Sequence, residues 1–364
     1  MNIRLIHAAD LHMDSPFEGL SAEKAAIRRS EQRELLRRIV RECLHREADV
    51  LLLAGDLLDS ASPSAETGEA LLSALSELTI PVFIAPGNHD WYSRRSPYAR
   101  LKFPENVHIF TSPAIECVSL PELGLRVWGA GYNSPSCPPL LRSFAPAKQQ
   151  GVLDILLLHA EVGKADSPYC PITEEELAAS RMDYAALGHI HKRIAPRRVG
   201  KTVYAFPGCP EGRGFDECGV KGVYMIDFRD DKLAAAFLPI GRRRCEKLSV
   251  TVGEEPLADI LAALPENTEN DIYRIMLTGE RENAPDLLYL QRTLEGRFFA
   301  LTIEDKTVPR PELWARMEEN TLAGRFLRRM KKRLDAAGTA EERSMVLDAV
   351  RLGMAALDDR EVTL

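Results

Sequence analysis

The sequence has few cysteines, and none of them forms a recognisable pair. Its 364 residues include seven cysteines, an odd number, widely scattered and without a CxxC motif. This spacing argues against a disulfide framework and against a structural zinc site, so free thiols in a reducing compartment are expected. The seven are Cys43, Cys117, Cys137, Cys170, Cys209, Cys218 and Cys245.

Long apolar runs and an excess of positive charge are also missing. No window approaches the roughly 18 uncharged apolar residues of a membrane span, and the N-terminal segment reaches Asp10 without the apolar stretch of a signal peptide. We therefore expect a cytoplasmic protein without membrane association. The formal net charge is −7, so attraction to nucleic acid must come from local basic patches or from metal ions.

With 45% hydrophobic and 28% charged residues, the composition is that of a globular protein, and the length suggests two domains. Up to about residue 190, short runs of Ile, Val and Leu alternate with segments of helical period, which is typical of an α/β domain. The predicted helices are 22–46, 65–78 and 174–180. The predicted strands are 3–8, 50–54, 82–85, 107–110, 115–120, 125–129, 153–158, 184–187, 202–206, 222–227 and 232–238.

A second pattern begins near residues 241–245, where three consecutive arginines follow Pro239. From 247 to 305 the pattern predicts strand, helix, strand, helix, strand, as in a small α+β domain. From Pro311 onward apolar residues recur at helical spacing, and a further helix is predicted over 340–357. The predicted division is 1–240, a smaller accessory domain over 241–310, and a helical C-terminal segment over 311–364.

Polar side chains that can bind metals follow five of the predicted strands, at the point where each strand ends. Because the carboxyl ends of neighbouring strands converge in an α/β sheet, residues far apart in sequence can form one site there. Any one of these motifs alone could be a turn or a buried core histidine, but the joint pattern is specific. The clusters are Asp10-Leu-His12, Gly55-Asp56-Leu-Leu-Asp59, Gly87-Asn88-His89-Asp90, His159 and Gly188-His189-Ile-His191.

The converging side chains are too numerous for a single ion. They comprise two aspartates, one asparagine and four histidines, before His89 is added. Mixed imidazole and carboxylate ligation suits manganese, iron or zinc, and a bridging aspartate allows two ions to lie about 3.5–4 Å apart. Glycines precede Asp56, Asn88 and His189, as expected for tight turns.

In this order, the motifs resemble the complete signature set of the calcineurin-like metallophosphoesterases, over roughly residues 1–230. The resemblance implies a β-sandwich flanked by helices. It also implies that His89 assists the leaving oxygen and that Asp59 orients His89. The implied ligands of one metal are Asp10, His12, Asp56 and His191, and those of the other are Asp56, Asn88, His159 and His189, with Asp56 bridging.

Three segments narrow the resemblance within that superfamily. Residues 10–17, 55–64 and 207–217 resemble the SbcD-like DNA repair exonucleases, and the chain is most similar to the shorter, YhaO-like branch found beside a large ATPase. The resemblance implies a DNA exo/endonuclease subunit that acts with an SMC-like coiled-coil ATPase and forms homodimers. Manganese is the expected metal, with iron or zinc as alternatives.

Two other functions remain open from the sequence. The catalytic motifs are shared by phosphodiesterases and phosphatases that act on small molecules or phosphoproteins, and a short pocket that excludes duplex DNA would favour such an enzyme. A metal-bound scaffold that recruits the ATPase to DNA ends is the third hypothesis. An intact set of ligands together with His89 argues against it.

Basic residues near the motifs are candidate contacts for the phosphates that flank the scissile bond. An equally simple interpretation is a solvated surface. The candidates are Arg94, Arg95, Lys192 and Arg193, followed by Arg197, Arg198 and Lys201.

The C-terminal segment contains a basic amphipathic helix. Its apolar stripe is predicted to be Leu322, Phe326, Met330 and Leu334. Such a helix could dock on the coiled-coil base of the ATPase or pack on its own second domain. The cations on the other face are Arg325, Arg328, Arg329, Lys331, Lys332 and Arg333.

Overall fold

The computed structural model describes residues 2–60, 62–230 and 232–358. Residues 359–364, the end of the predicted helical segment, lie outside the described residues, as do Met1, Ala61 and Asp231 of the predicted first domain. By its internal contacts the chain divides into two compact units, Met1–Arg244 and Cys245–Leu364, called here unit 1 and unit 2.

Unit 1 alternates strands and helices along most of its length. Its helices are α1 (Ala22–His45), α2 (Ala65–Leu75), α3 (Pro97–Arg100) and α4 (Glu174–Ser180), with a short 3₁₀ turn at Pro121–Leu123. Its strands are β1 (Asn2–Ala8), β2 (Val50–Leu53), β3 (Val82–Ile84), β4 (Val107–Ile109), β5 (Glu116–Leu120), β6 (Leu125–Gly129), β7 (Leu153–His159), β8 (Glu161–Val162), β9 (Pro171–Ile172), β10 (Tyr184–Gly188), β11 (Ile194–Val199), β12 (Thr202–Phe206), β13 (Gly222–Arg229) and β14 (Lys232–Pro239).

Two six-stranded sheets account for most of the strands that the described part of unit 1 contains. The first has the order β14-β13-β1-β2-β3-β4 and the second β11-β12-β10-β7-β6-β5. In the first sheet β1 to β4 are parallel, and β1 pairs with β2 from Leu5 opposite Val50 to Ala8 opposite Leu53. In the second sheet β6, β7, β10 and β12 are parallel, between antiparallel edges.

The apolar side chains show how the two sheets are buried. Leu52 of β2 and Leu157 of β7 belong to one buried cluster, which both sheets share. The neighbouring Leu51 packs instead with the apolar face of α1, and Leu158 packs with Leu177 of α4. Because strand side chains alternate between faces, the sheets form a sandwich with helices on both outer surfaces. The predicted fold class is confirmed.

The strands that precede the predicted metal-binding clusters lie side by side. β1, β2 and β3 are neighbours in the first sheet, and β7 and β10 are neighbours in the second. All five are parallel to their partners among these strands, so their carboxyl ends meet at the same edge. This edge carries the candidate site.

Unit 2 is built around a parallel sheet of three strands that lie side by side in chain order. A helix lies between successive strands of this sheet, so the predicted order of strand, helix, strand, helix, strand is confirmed. The strands of unit 2 are β15 (Cys245–Thr251), β16 (Ile272–Thr278), β17 (Glu280–Arg281), β18 (Ala300–Asp305) and β19 (Val308–Pro309). The helices are α5 (Pro256–Ala263), α6 (Leu287–Leu294), α7 (Pro311–Ala315), α8 (Leu322–Ala336) and α9 (Ala340–Leu357), with 3₁₀ turns at Glu295–Arg297 and Arg316–Glu318.

The apolar face of α8 differs from the predicted stripe at its N-terminal end. Leu322 is 71% exposed, whereas Ala323 and Leu327 are buried against Val350 of α9. Helical geometry accounts for the difference between the predicted and the observed buried face. Residues at spacings of three and four lie on one face of a helix, and the buried residues with this spacing are Ala323, Leu327, Met330 and Leu334. This face therefore packs within unit 2.

Two predicted absences can be compared with the described residues. Within the described residues no disulfide joins any of the seven cysteines, and five of them are buried. Among the helices that these residues form, none has both the length and the apolar character needed to traverse a lipid bilayer.

Candidate metal centre

The loops that follow β1 and β2 are hydrogen bonded to each other and carry the first candidate ligands. The backbone N–H of Asp10 donates to the carbonyl of Gly55 at 3.0 Å, and that of His12 to the carbonyl of Asp56 at 2.9 Å. Asp10, His12 and Asp56 have backbone φ angles of 55°, 45° and 49°, in the left-handed region that residues other than glycine rarely adopt. Such strained backbone is concentrated at functional sites.

The carboxylate of Asp56 lies directly against the loop that follows β3. A Cβ atom at Gly87 would lie 2.2 Å from Asp56 Oδ1, so the approach is possible only with glycine. The same oxygen accepts the backbone N–H of His89 at 2.9 Å. The asparagine between these two residues is thereby held at the site.

A buried carboxylate, Asp90, ties the two loops together. It accepts the N–H of Gly87 at 2.7 Å, the N–H of Leu57 at 2.7 Å and the hydroxyl of Tyr98 at 2.5 Å. Burial, assisted by the nearby negative charge of Asp56, raises the pKa of Asp90. The sequence motif contained Asp90, but its role was not predicted.

Two histidines form one side of the centre. The Nδ1–H of His12 donates to Asp59 Oδ1 at 2.9 Å, and Nδ1 of His191 lies 2.8 Å from Glu217 Oε1. A carboxylate partner holds the proton on Nδ1 and leaves a lone pair on Nε2. The Nε2 atoms of His12 and His191 face each other at 3.0 Å, an arrangement that a cation satisfies.

The other side contains Asn88, His159 and His189. Asn88 Oδ1 lies 3.0 Å from His159 Nε2 and 3.2 Å from His189 Nδ1. His159 Nδ1 donates to the carbonyl of Ala54 at 2.9 Å, which again directs Nε2 into the site. Asp56 Oδ2 is 3.3 Å from His159 Nε2 and 3.8 Å from His12 Nε2, so this oxygen faces both sides.

Asp10 provides the clearest indication that the site suits a cation. Its Oδ1 accepts the backbone N–H of His189 at 3.0 Å, whereas its Oδ2 is buried without a hydrogen-bond partner. A buried carboxylate oxygen without a partner is costly, and metal ligation removes that cost. Among the described residues, three groups of ligand atoms are compact enough to hold an ion: Asp10 with His12 and His191, Asp10 with Asp56 and His159, and His12 with Asp56 and His89.

The charges of the site shift several pKa values in opposite directions. Burial raises the pKa of Asp10. For Asp56, burial raises the pKa, but the charges of His159 and His12 outweigh this effect and lower it. For His159, burial lowers the pKa, but the Asp56 carboxylate raises it to about 9. The buried carboxylates thus depend on neighbouring positive charge.

Comparison with known families agrees with this geometry. Residues 3–193 match the family model of calcineurin-like phosphoesterases. The chain belongs to this family. The matched residues include each of the seven candidate ligands, and the predicted resemblance to the superfamily is confirmed.

Relatives of this phosphoesterase include a protein named for DNA double-strand break repair and a subunit of a nuclease. The metallophosphoesterase YhaO of Bacillus subtilis is 32% identical over 278 residues, which cover 73% of this chain and 67% of YhaO. The DNA double-strand break repair protein Mre11 of Saccharolobus solfataricus is 25% identical over 79% of this chain and 78% of its own length. The SbcD component of the nuclease SbcCD of B. subtilis is 26% identical over 62% of this chain and 66% of its own length. The similarity to the SbcD-like branch is confirmed.

His89, the predicted catalytic residue, lies at the open side of the phosphoesterase centre. Its side chain is 44% exposed, and its ring centroid lies 4.9 Å from that of His12. Asp59 Oδ1 is 3.9 Å from His89 Nδ1 but 2.9 Å from His12 Nδ1. Asp59 therefore contacts His12 more closely than it contacts His89.

The predicted phosphate-contacting residues are exposed cations that follow two of the metal-binding motifs in the sequence. Arg94, Arg95 and Lys192 are exposed, and within the described chain no carboxylate lies within ion-pair distance of them. The Arg193 guanidinium packs over the ring of Phe237 at 4.3 Å. The first three cations are therefore available to an anionic ligand of the phosphoesterase.

Several polar residues behind the ligands were not predicted from the sequence. Glu217 lies behind His191, and Glu161 Oε2 is 3.7 Å from His189 Nε2. Arg213 contacts Asp59, Glu217 and His191 together. Arg213 and Glu217 are in the segment 207–217 that resembles SbcD-like enzymes, and that resemblance was the available signal.

Proposed function

We propose that this chain is a two-metal phosphodiester hydrolase that cleaves DNA, as the nuclease subunit of a DNA repair assembly with an SMC-like coiled-coil ATPase. The observation that carries the proposal is the convergence of six ligand side chains around a seventh, the Asp56 carboxylate, in a family of phosphoesterases. Manganese is the proposed metal, with iron or zinc as the alternatives that the same imidazole and carboxylate donors would suit.

The seven side chains divide into two sets around Asp56. Asp10, His12 and His191 would hold one ion, and Asn88, His159 and His189 the other, with Asp56 shared between them. When bound, two such ions lower the pKa of a water molecule and neutralise charge on the phosphoryl oxygens. Hydrogen bonds to Asp59, Glu217 and the Ala54 carbonyl direct the imidazole lone pairs of His12, His191 and His159 toward the ions.

His89 is the proposed catalytic acid. Its backbone is anchored by the bond to Asp56, while its ring is exposed at the entrance, where a leaving oxygen can reach it. A protonated imidazole there donates its proton as the phosphorus–oxygen bond breaks. Asp59 Oδ1 lies 3.9 Å from Nδ1 of the same ring, where it can orient the imidazole.

DNA is proposed as the substrate because the relatives at 25–26% identity are named as a double-strand break repair protein and a nuclease subunit. The exposed cations Arg94, Arg95 and Lys192 provide contacts to phosphates beside the scissile bond, and Arg193 provides a fourth from its position over Phe237. These local charges act against the unfavourable net charge of −7.

The proposed contact with the ATPase uses the cationic side of α8. The apolar side of this helix is already covered by α9, so charged residues supply the surface that is left for a partner. Most of these cations are exposed, although Lys331 pairs with Asp335 at 3.0 Å. An acidic coiled-coil surface would complement them.

The test is manganese-dependent cleavage of end-labelled single- and double-stranded DNA, with bis-p-nitrophenyl phosphate as a generic diester and the His89→Ala protein as background. Wild-type cleavage of DNA and of the diester supports the proposal. Turnover of the diester with intact DNA favours a small-molecule phosphodiesterase instead. The variant pair Arg94→Ala/Arg95→Ala is expected to weaken DNA cleavage and to leave turnover of the small diester unchanged.

A further inference from the structure

An arginine and a glutamate outside the predicted site join the two histidines on one side of the centre. Arg213 Nη1 donates to Asp59 Oδ1 at 3.1 Å, and Arg213 Nη2 donates to Glu217 Oε1 at 2.7 Å. Asp59 in turn accepts from His12, and Glu217 Oε1 is 2.8 Å from His191 Nδ1. Arg213 is therefore the cross-link between the two carboxylates that orient this histidine pair.

The geometry makes this cross-link specific to one side of the site. Asp59 and Glu217 each approach the Nδ1 atom of one histidine, so that the two Nε2 atoms face each other at 3.0 Å. On the other side, His159 is oriented by the Ala54 carbonyl and His189 lies near Glu161, without any contact to Arg213 among the described interactions. A change at Arg213 or Glu217 should therefore affect the two sides unequally.

Buried contacts hold the segment that carries this pair. The Arg28 guanidinium of α1 donates to Glu211 Oε1 and to the carbonyl of Gly212, both at 2.8 Å. The backbone N–H of Arg213 is bonded to Glu217 Oε2 at 2.8 Å. Glu217 is 7% exposed, so its carboxylate is well shielded from solvent. The pair is thus fixed relative to the histidines and not part of a freely moving loop.

We propose that Arg213 and Glu217 are positioning residues that set the affinity of the metal ion held by His12 and His191. They leave the ion beside Asn88 and His159 almost unaffected. A carboxylate behind a ligating imidazole fixes its tautomer, holds its ring and increases its basicity. The inference rests on the two-metal site of the proposed function, but not on DNA being the substrate.

The experiment is calorimetric titration of the metal-free full chain with Mn²⁺, for wild type, Glu217→Gln and Arg213→Lys. The glutamine keeps the shape of the glutamate but removes its charge, and the lysine keeps the charge but cannot span two carboxylates. We expect two binding events in each protein, with one dissociation constant raised about 10- to 100-fold in the variants and the other within about twofold of wild type.

Asp216→Asn is the matched control. Asp216 is an exposed carboxylate in the same segment and lines the same surface pocket as Glu217. Replacing either carboxylate by the corresponding amide changes the net charge by the same amount. Its titration should match that of wild type. If this variant weakened one metal as much as Glu217→Gln does, a general electrostatic effect would replace the positioning role.

A purely structural role would weaken both ions alike. Metal-free Glu217→Gln is expected to unfold below the wild-type temperature because it breaks the buried pair with Arg213, so the affinities are compared at a temperature where both metal-free proteins are folded. The positioning role then predicts that only one affinity falls and that Glu217→Asp restores part of it. Equal weakening of both ions, or unchanged affinity of both in Arg213→Lys and Glu217→Gln, would overturn the inference. If the wild-type chain bound one ion or none, the two-metal proposal itself would fail, which is a separate outcome.

Discussion

Replacing His89 by alanine separates metal binding from proton transfer at the centre. The substitution removes a ring that is 44% exposed, so little packing is lost. It keeps the backbone N–H that bonds to Asp56 Oδ1 at 2.9 Å, so the shared carboxylate stays in place. We expect both Mn²⁺ affinities of the variant to lie within about threefold of the wild-type values. Losses of tenfold or more are typical when a group that orients a metal ligand is removed, and here the backbone contact to Asp56 is kept.

The expected loss of activity depends on the leaving group. Positioned acid catalysis contributes about 10²- to 10⁴-fold, which corresponds to about 3–5 kcal/mol of activation free energy. A deoxyribose alkoxide needs the full assistance of a proton, whereas p-nitrophenolate is a much better leaving group. The kcat of His89→Ala should therefore fall by about 10²- to 10⁴-fold on DNA and by less than about tenfold on bis-p-nitrophenyl phosphate.

Both substrates are assayed under single-turnover conditions at saturating Mn²⁺, with the metal content of each protein measured in parallel. Equal losses on the two substrates would refute the role of His89 as the acid, because a residue that only binds phosphate acts on both alike. A loss of bound metal in the variant would instead make His89 a ligand, as its proximity to His12 and Asp56 allows.

Three other outcomes follow from the buried charges. Mn²⁺ should stabilise the wild-type protein by about 2.7 kcal/mol when its concentration is a hundred times its dissociation constant. A thermal shift assay should show a much smaller stabilisation of Asp10→Asn by Mn²⁺, because this variant removes charge from the buried Oδ2 that has no hydrogen-bond partner. Glu31→Gln should destabilise unit 1 by about 3 kcal/mol in urea unfolding, the lower end for a broken buried pair, because Arg28 keeps its bond to Glu211. Burial raises the pKa of Glu31, but hydrogen bonds from Arg243 and Arg28 outweigh this effect and lower the pKa. The stability that Glu31 contributes to the folded state is therefore present above the ordinary pKa of 4.5 and is lost as the pH falls through the lowered pKa. The difference between wild type and Glu31→Gln should therefore narrow below about pH 4.5, and a constant difference down to pH 3 would contradict this assignment.

The strands of unit 1 could be predicted because they are short apolar runs bounded by turns. The run 50–54, for example, appears as Val50–Leu53 in the structure, one residue shorter. The strand Ile194–Val199 was not predicted, because Pro196 and two arginines interrupt its apolar pattern. It forms the edge of its sheet, where proline and exposed charge are tolerated. Edge strands need less apolar sequence than central ones, and this strand lacks the pattern for that reason, whereas the other three edge strands of the two sheets were predicted.

The ligands of the centre were predictable for a different reason. Asp10, Asp56 and His159 follow directly after apolar runs, so their positions in the fold follow from the sheet alone. The residues behind them do not have this property. Glu217 reaches His191 from a turn that has no regular secondary structure, and Glu161 lies in a two-residue strand beyond β7. Their roles depend on tertiary packing, which is not encoded in local periodicity.

The buried arginine of helix α1 has a consequence for genetic studies of this chain. Arg28 holds Glu211 and Gly212, and the following residues brace the histidines of the centre. A screen for loss of function should therefore recover substitutions at Arg28 and Glu211, although neither belongs to the predicted ligand set. For the same reason, the 211–217 segment cannot be exchanged between homologues as an independent cassette. A chimera that imports it must import the matching helix as well.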